Sequence, residues 1–385
     1  MDRLARLEGQ IQIISAEIGE LRDRVGKLEG AAPHRLLDSR TVSSPAGVEE
    51  GESQEISTAF PVSASTVSLV GRTLMVLGGA YLLRALTDSG DSGSIPTSVG
   101  ALLGLAYAVW WLGSTYRAAR AGRRASAGFH GIAALLIAYP LIWETTSRLG
   151  VFTPATGASL LVVFYGIGFV VTWRGNLTEI AWVNTLLAVA SAMALLVATH
   201  ALIPFTVALL CFASATELRA YRKRWPALRW PVAFGLDAAV WVMVSIVGRP
   251  KGLPEGYAPV SVGLALTIVL LLPLLYLSVI AVRTLLRGRG VTGFEIVQVA
   301  IAFAIGVGGA MRLAESMALD PGYIGVPLMV LGAAGYGAAF AFIDRRMGRG
   351  LNFYFFTTLA GLLTLVGASM ALPSVALIVV WCGLG

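Results

Sequence analysis

The chain has 385 residues, 56% apolar and only 13% charged, with a mean hydropathy of +0.75. Soluble domains carry about a quarter charged residues, so this composition excludes an ordinary water-soluble protein. The net charge of +7 and a pI near 9.6 do not point to nucleic-acid binding, because no basic soluble domain is present to display the charge. They are read instead as the excess of Arg and Lys that membrane proteins keep in their cytoplasmic loops.

At the N-terminus, Leu4, Leu7, Ile11, Ile14, Ile18, Leu21, Val25 and Leu28 form an unbroken a/d heptad repeat. Mostly β-branched residues at a, with mostly Leu at d, favour a parallel two-stranded coil. In such a dimer Arg3 faces Glu8, Glu17 faces Arg22 and Arg24 faces Glu29, each pair opposite in sign, while Gln10 faces Ser15. Residues 1–30 are therefore expected to form a coiled-coil helix, with a homodimer made through residues 3–29. The other reading of the same pattern is an amphipathic helix lying on the membrane. Gly9, Gly19 and Gly26 weaken the helix by up to ~1 kcal/mol each, so the coil relies on its membrane tether. Charged, heptad-patterned residues at the start are not a signal peptide. Residues 31–65 hold Ser, Thr, Pro, Gly and the acidic run Glu49, Glu50, Glu52 and Glu55, and read as a disordered linker.

From residue 66 onward the chain is a succession of apolar runs. A span needs about 20 such residues. Candidate spans are 67–86, 95–116, 127–143, 153–173, 179–198, 201–218, 231–248, 259–282, 294–314, 322–343, 351–371 and 374–385. The expected fold is all-α and polytopic, with about eleven complete spans and a twelfth cut short. That shortened end is expected of a fragment of a longer membrane protein. The run from Ile180 to Leu218 is about twice a bilayer core in length and must fold back. His200 and Pro204 mark the turn.

Basic residues gather in every second gap. They are Arg117, Arg120, Arg123 and Arg124; Arg174; Arg219, Arg222, Lys223, Arg224 and Arg229; Arg283, Arg287 and Arg289; and Arg345, Arg346 and Arg349. The intervening gaps hold Asp88 and Asp91, then Arg148, then Arg249 and Lys251, then the weakly charged region of Asp320. Basic loops face the cytoplasm, so the N-terminus and its coil are expected there. Heavy use of Arg over Lys fits a GC-rich bacterial genome, and the expected location is the bacterial inner membrane. The lipid bilayer is the first expected partner.

The first hairpin reads LVGRTLMVLGGAYLLRALTDSG at 69–90 and SIPTSVGALLGLAYAVWWLG at 94–113. It resembles the bacterial family of predicted membrane proteins that carries the domain of unknown function numbered 2339. That family shows a Gly near the start of its first span, a basic residue at the far end and a Gly-rich second span. Gly71, Arg84, Gly100 and Gly104 occupy those places. The resemblance implies an N-terminal coil, a polar linker and many spans. It brings no activity, cofactor or catalytic residue.

Ionisable groups within spans are candidates for function, since a charge in hydrocarbon is costly. Arg72 and Asp237 both lie about two turns in from the basic side, so a buried pair is expected. A structural salt bridge, or Arg72 snorkelling to the interface, is the plainer account. Nearer the opposite ends lie Arg84, Glu144, Arg148, Arg312 and Glu315, with His200 at the short turn. These would line an outward cavity or form an ordinary interfacial rim. Small residues at four-residue spacing, Gly100 and Gly104, Gly235 and Ala239, and Gly306 and Ala310, favour close helix packing. LGGAYLLRA at 77–85 faintly echoes VGGAMRLAE at 307–315; a parallel duplication would suit a transporter. Cys211 and Cys382 both lie in apolar runs and imply neither a disulfide framework nor a metal site. No nucleophile motif, zinc spacing or paired catalytic carboxylate is present, so no cofactor is expected and enzymatic activity is not favoured. The leading functional reading is transport or flipping of a small or lipid-like substrate. The alternatives are a membrane scaffold recruiting partners through its coil, and a transferase acting on a lipid-linked substrate.

Overall fold

A computed structural model describes Gly71, Gly78 and residues 96–220, 226–343 and 350–384. The coil and the linker lie outside the described residues, and so does the first span apart from its two glycines. The helices are α1 Thr97–Arg120, α2 Arg124–Ser147, α3 Pro154–Gly175 and α4 Thr178–Thr199. They continue with α5 Leu202–Ala220, α6 Arg229–Val247, α7 Val262–Ala281 and α8 Gly293–Ser316. The last three are α9 Gly322–Ala338, α10 Gly350–Ala371 and the short α11 Ser374–Leu384. Short π turns extend α7 to Leu286 and α9 to Ile343. Ten of these helices, with their extensions, are long and apolar enough to cross a membrane. No strand occurs among the described residues. The protein is an all-α, multi-pass membrane protein. Helices satisfy every backbone group internally, which is what the hydrocarbon demands.

Local chemistry sets the helix ends. Thr153 caps α3 by accepting from the Thr156 N–H at 3.2 Å, with Pro154 in the first turn. Ser261 does the same for α7 at Leu264, 3.3 Å. Thr292 and Glu295 form a reciprocal capping box at the start of α8. Each arrangement satisfies backbone donors that a helix start would otherwise leave unpaired. Between α4 and α5 the chain reverses over two residues, His200 and Ala201, with His200 at a φ of 53°. The reversal falls where the sequence places it.

Helix α4 lies centrally and packs against α2, α3, α5 and α6. Its Asn184 accepts from the Tyr139 hydroxyl at 2.9 Å and donates to the Tyr165 carbonyl at 3.2 Å. Gly168 makes room for it: a Cβ there would come within 2.6 Å of the Asn184 Oδ1. The α9–α10 hairpin is built differently. Its two helices pack intimately on each other and touch α1–α8 at few places. At their crossing, a Cβ on Gly325 would lie 2.6 Å from the Gly367 carbonyl oxygen. Only small residues permit that backbone approach.

Candidate functional site

The short connections make successive helices antiparallel, so one end of the bundle gathers the Arg-rich connections. At this arginine end, four charged side chains form an alternating chain. Arg229, at the first residue of α6, grips Glu217 of α5 through both arms: Nε donates to Oε1 at 2.8 Å, and Nη2 lies 2.7 Å from Oε2. The same Nη2 reaches Oε1 of Glu295 at 3.3 Å. Arg283, at the end of α7, donates to that Glu295 oxygen from its other side. The second Glu295 oxygen accepts from the Thr292 backbone N–H at 2.9 Å. Glu217, Arg229 and Glu295 are 3%, 4% and 1% exposed. Two carboxylates and two guanidiniums balance in charge and join α5, α6, α7 and α8 at one end. The guanidinium of Arg229 also stacks over Phe294, 4.2 Å from the ring centre.

Beside this ladder, Arg219 is buried on α5. It donates to the Phe169 carbonyl and to Thr172 Oγ1, each at 3.3 Å, and lies over the rings of Phe169 and Trp173. Helix α3 is thereby drawn into the same cluster.

Deeper in the bundle the ladder has one further rung. Asp237 stands eight residues beyond Arg229 on α6, about 12 Å along the axis at 1.5 Å per residue. Half the hydrocarbon thickness is about 15 Å, so Asp237 sits well inside it. Gln298 of α8 donates from Nε2 to both Asp237 oxygens, at 3.0 and 2.9 Å. Tyr276 of α7, also buried, lies next to this pair. Past Asp237 the facing surfaces are apolar: Val240, Met243 and Val244 on α6, and Ala302, Gly306 and Ala310 on α8. The polar path from the arginine end stops at Asp237. About 12 Å further along α8 from Gln298, at 1.5 Å per residue, Gly306 abuts Pro273 within α7; a Cβ on that glycine would meet the Pro273 ring at 2.8 Å.

On its other side α8 borders an apolar groove of about 620 Å³ shared with α10. It runs from Ile296 to Gly308 along α8 and from Leu351 to Val366 along α10. At the arginine end Asn352 ties α10 to the α7–α8 connection, accepting from Val291 N–H at 2.8 Å and donating to the Arg289 carbonyl at 2.9 Å.

The residues singled out from sequence fall into two groups. Arg72 and Arg84 lie outside the described residues, so the expected Arg72–Asp237 pair is not described; Asp237 is bonded to Gln298. At the end opposite the arginines, Glu144 is half-buried in the last turn of α2, and exposed Arg148 follows it. His200 is exposed and its ring lies 4.7 Å from that of Tyr257. Arg312 directs Nε at the Gly248 carbonyl, 3.4 Å away, which ties α8 to the end of α6. Glu315 is exposed one turn on. Gln298 and the ladder members Glu217 and Glu295 escaped the sequence reading, and Arg229 and Arg283 entered it only as loop charges. The signal for Glu295 was present as Thr292-x-x-Glu295, a capping box. The signal for Glu217 was an acid inside the apolar run 201–218, two residues before Arg219. Among the described residues no group of three or more His, Cys, Asp or Glu side chains could hold a metal ion.

Compared with known proteins, the chain matches no family model, no curated protein and no solved structure.

Proposed function

We propose that this membrane protein moves a lipid-like substrate across the bilayer and that Asp237 takes up and releases a proton as it does so. The Asp237–Gln298 pair carries the reading. An ionised Asp at the centre of a spanning helix costs about 2.5–3.5 kcal/mol on insertion scales, and more by other measures. A hydrogen bond to a charged group returns about 1.5–3 kcal/mol. Simple packing would be served as well by an apolar pair, so the carboxyl group calls for a use. The groups that face it support proton exchange. Gln298 of α8 bonds it and Tyr276 of α7 lies beside it, while the ladder of Glu217, Arg229, Arg283 and Glu295 stands about 12 Å nearer the arginine end. The two arginines are already held by the two glutamates. A lipid-like substrate is favoured because the interhelical path beyond Asp237 is closed by apolar packing, whereas the groove on α8 is apolar throughout.

The distribution of basic gaps supports a cytoplasmic arginine end, and the heavy use of Arg over Lys supports a bacterial inner membrane. The family resemblance of the first hairpin, through Gly71, Arg84, Gly100 and Gly104, is part of the same proposal. A second reading, a scaffold recruiting partners through residues 3–29, rests on the heptads and their paired charges. Removing residues 1–30 would abolish recruitment under the scaffold reading and spare translocation under the first.

The test reconstitutes the full chain into liposomes carrying tail-labelled fluorescent phosphatidylglycerol and follows quenching by external dithionite. Translocation at least tenfold above protein-free liposomes is expected, with a response to an imposed pH gradient that Asp237→Asn removes. Protein-free rates from folded wild-type chain, with and without the gradient, would overturn the proposal.

A further inference from the structure

Helix α7 is held unevenly along its length. Before Pro273 it buries Ala265, Ile268, Val269 and Leu272, a band two residues wide at helical spacing. After Pro273 it buries Tyr276 and Ile280, then Thr284 in the π turn, a single line at four-residue spacing. Fewer buried contacts mean a lower cost of local opening. Leu271 and Leu274, on either side of the proline, are exposed, so a half-helix moving toward them displaces only lipid.

The division between the two halves is built in. Pro273 has no N–H to offer the Val269 carbonyl, and its ring crowds the preceding turn. Helix α8 meets this point with glycines. A Cβ on Gly306 would lie 2.8 Å from the Pro273 ring and 3.4 Å from the Val269 oxygen, and one on Gly309 would lie 3.1 Å from the Val269 side chain. With no side chain at either place, α7 can bend there without pulling a ridge of α8 out of its groove. At its far end the segment loosens again. Val282–Leu286 forms a π turn, in which the Arg287 N–H reaches back five residues to the Val282 carbonyl at 3.2 Å.

The groups on this segment give the hinge a use. Tyr276 lies beside Asp237 and Gln298, and Arg283 completes the ladder on Glu295. Among the described residues Arg283 forms an ion pair with Glu295 alone, and its Nε has no hydrogen-bond partner. Glu295 does not depend on it, because Arg229 and the Thr292 N–H hold the same carboxylate. The latch is therefore released without stranding an acid, and a guanidinium at a helix end reaches the interface on its own stem. We propose that Pro273 to Leu286 is a gate: bent about Pro273 toward the lipid, it withdraws Arg283 from Glu295 and Tyr276 from Asp237, and opens Asp237 to the arginine end. Arg283 stands ten residues beyond Pro273, about 15 Å along the axis. A change of about 20° at the proline, the scale of proline kinks, moves it by about 5 Å, enough to break the ion pair. The gate deepens the transport reading and rests on it for its purpose. Its motion is measured by itself, so a moving gate without translocation would sink only the transport reading.

The experiment is double electron–electron resonance on the full chain in liposomes, with Cys211→Ser and Cys382→Ser and with spin labels at exposed positions. One pair, Leu286→Cys with Leu218→Cys of α5, reports the arginine end. The other, Leu264→Cys with Val197→Cys of α4, reports the outer half of α7. The first pair should show two distances about 5 Å apart, the second pair one. Arg283→Gln should raise the ratio of long to short about tenfold, what a hydrogen bond between charged groups is worth at the lower end of its range. Pro273→Ala, which returns an N–H to the Val269 carbonyl, should leave only the short distance. A single Leu286–Leu218 distance in both the wild type and Arg283→Gln overturns the proposal. So does an equal shift of the outer pair, which would make α7 tilt as one rigid helix, and so do two distances that persist in Pro273→Ala.

Discussion

Replacing Arg229 with methionine removes the cation shared by two buried carboxylates. The change keeps most of the side-chain volume and deletes the charge. Glu295 retains Arg283 and the Thr292 N–H. Glu217, 3% exposed, has no other ion-pair partner among the described residues. Breaking a buried pair by removing one member costs about 3–5 kcal/mol, or a factor of about a hundred to a few thousand in the folding equilibrium. Glu217→Gln should cost less, because Arg229 keeps Glu295. The decisive comparison is the double variant R229M/E217Q. With no stranded carboxylate on α5, it should recover about 1–2 kcal/mol relative to Arg229→Met, within the range of coupling energies for residues in contact. Reversible unfolding of the full chain, by steric trapping in bilayers or titration with SDS in mixed micelles, gives all four values. The reasoning fails if Arg229→Met unfolds within ~0.5 kcal/mol of the wild type. It also fails if the double variant loses the sum of the two single losses, since the pair would then carry no coupling.

Three further outcomes are expected. Reporter fusions after Arg124 and after Gly150 should fall on opposite sides of the membrane, the first cytoplasmic; equal accessibility would refute the orientation. Tyr139→Phe strips the Asn184 oxygen of its hydroxyl donor and should destabilise the bundle by about 0.6–1.7 kcal/mol, the range measured between membrane helices, in the same unfolding assay. A loss above ~3 kcal/mol would mean that the ring, not the hydrogen bond, is what the site requires. Ile14→Cys, at a d position of the heptads, should crosslink between chains on oxidation; its absence in the intact protein, together with a monomeric isolated peptide, would remove the homodimer.

The helices were legible because hydrocarbon leaves the backbone no alternative to internal hydrogen bonding, so a sufficient apolar run is a helix. The sequence runs at 179–198 and 201–218 became Thr178–Thr199 and Leu202–Ala220, with the reversal at His200. Runs bounded by charge came out shorter than the helices: 127–143 grew to Arg124–Ser147, since a helix continues into the interface where hydropathy has already fallen. The site was half legible. Asp237 stood out as a lone acid in an apolar stretch. Its partner did not, because a single Gln in a span carries no charge to mark it, and its place opposite Asp237 depends on how α6 and α8 are rotated. Arg229 and Arg283 were legible as topology signals, and that reading concealed their second use. A guanidinium at a helix end looks the same in sequence whether it faces water or a carboxylate on the next helix.

The α9–α10 hairpin, with Gly325 backbone-to-backbone against Gly367 and few contacts beyond itself, has a consequence for biogenesis. Two helices joined by a short connection and held by their own glycines can leave the translocon as a finished pair. Docking onto α8 is then a separate, later event. Until it happens, the flank of α8 that forms one wall of the groove would stand without its opposite wall, so the groove would be a product of the last step of assembly and not of the first eight helices.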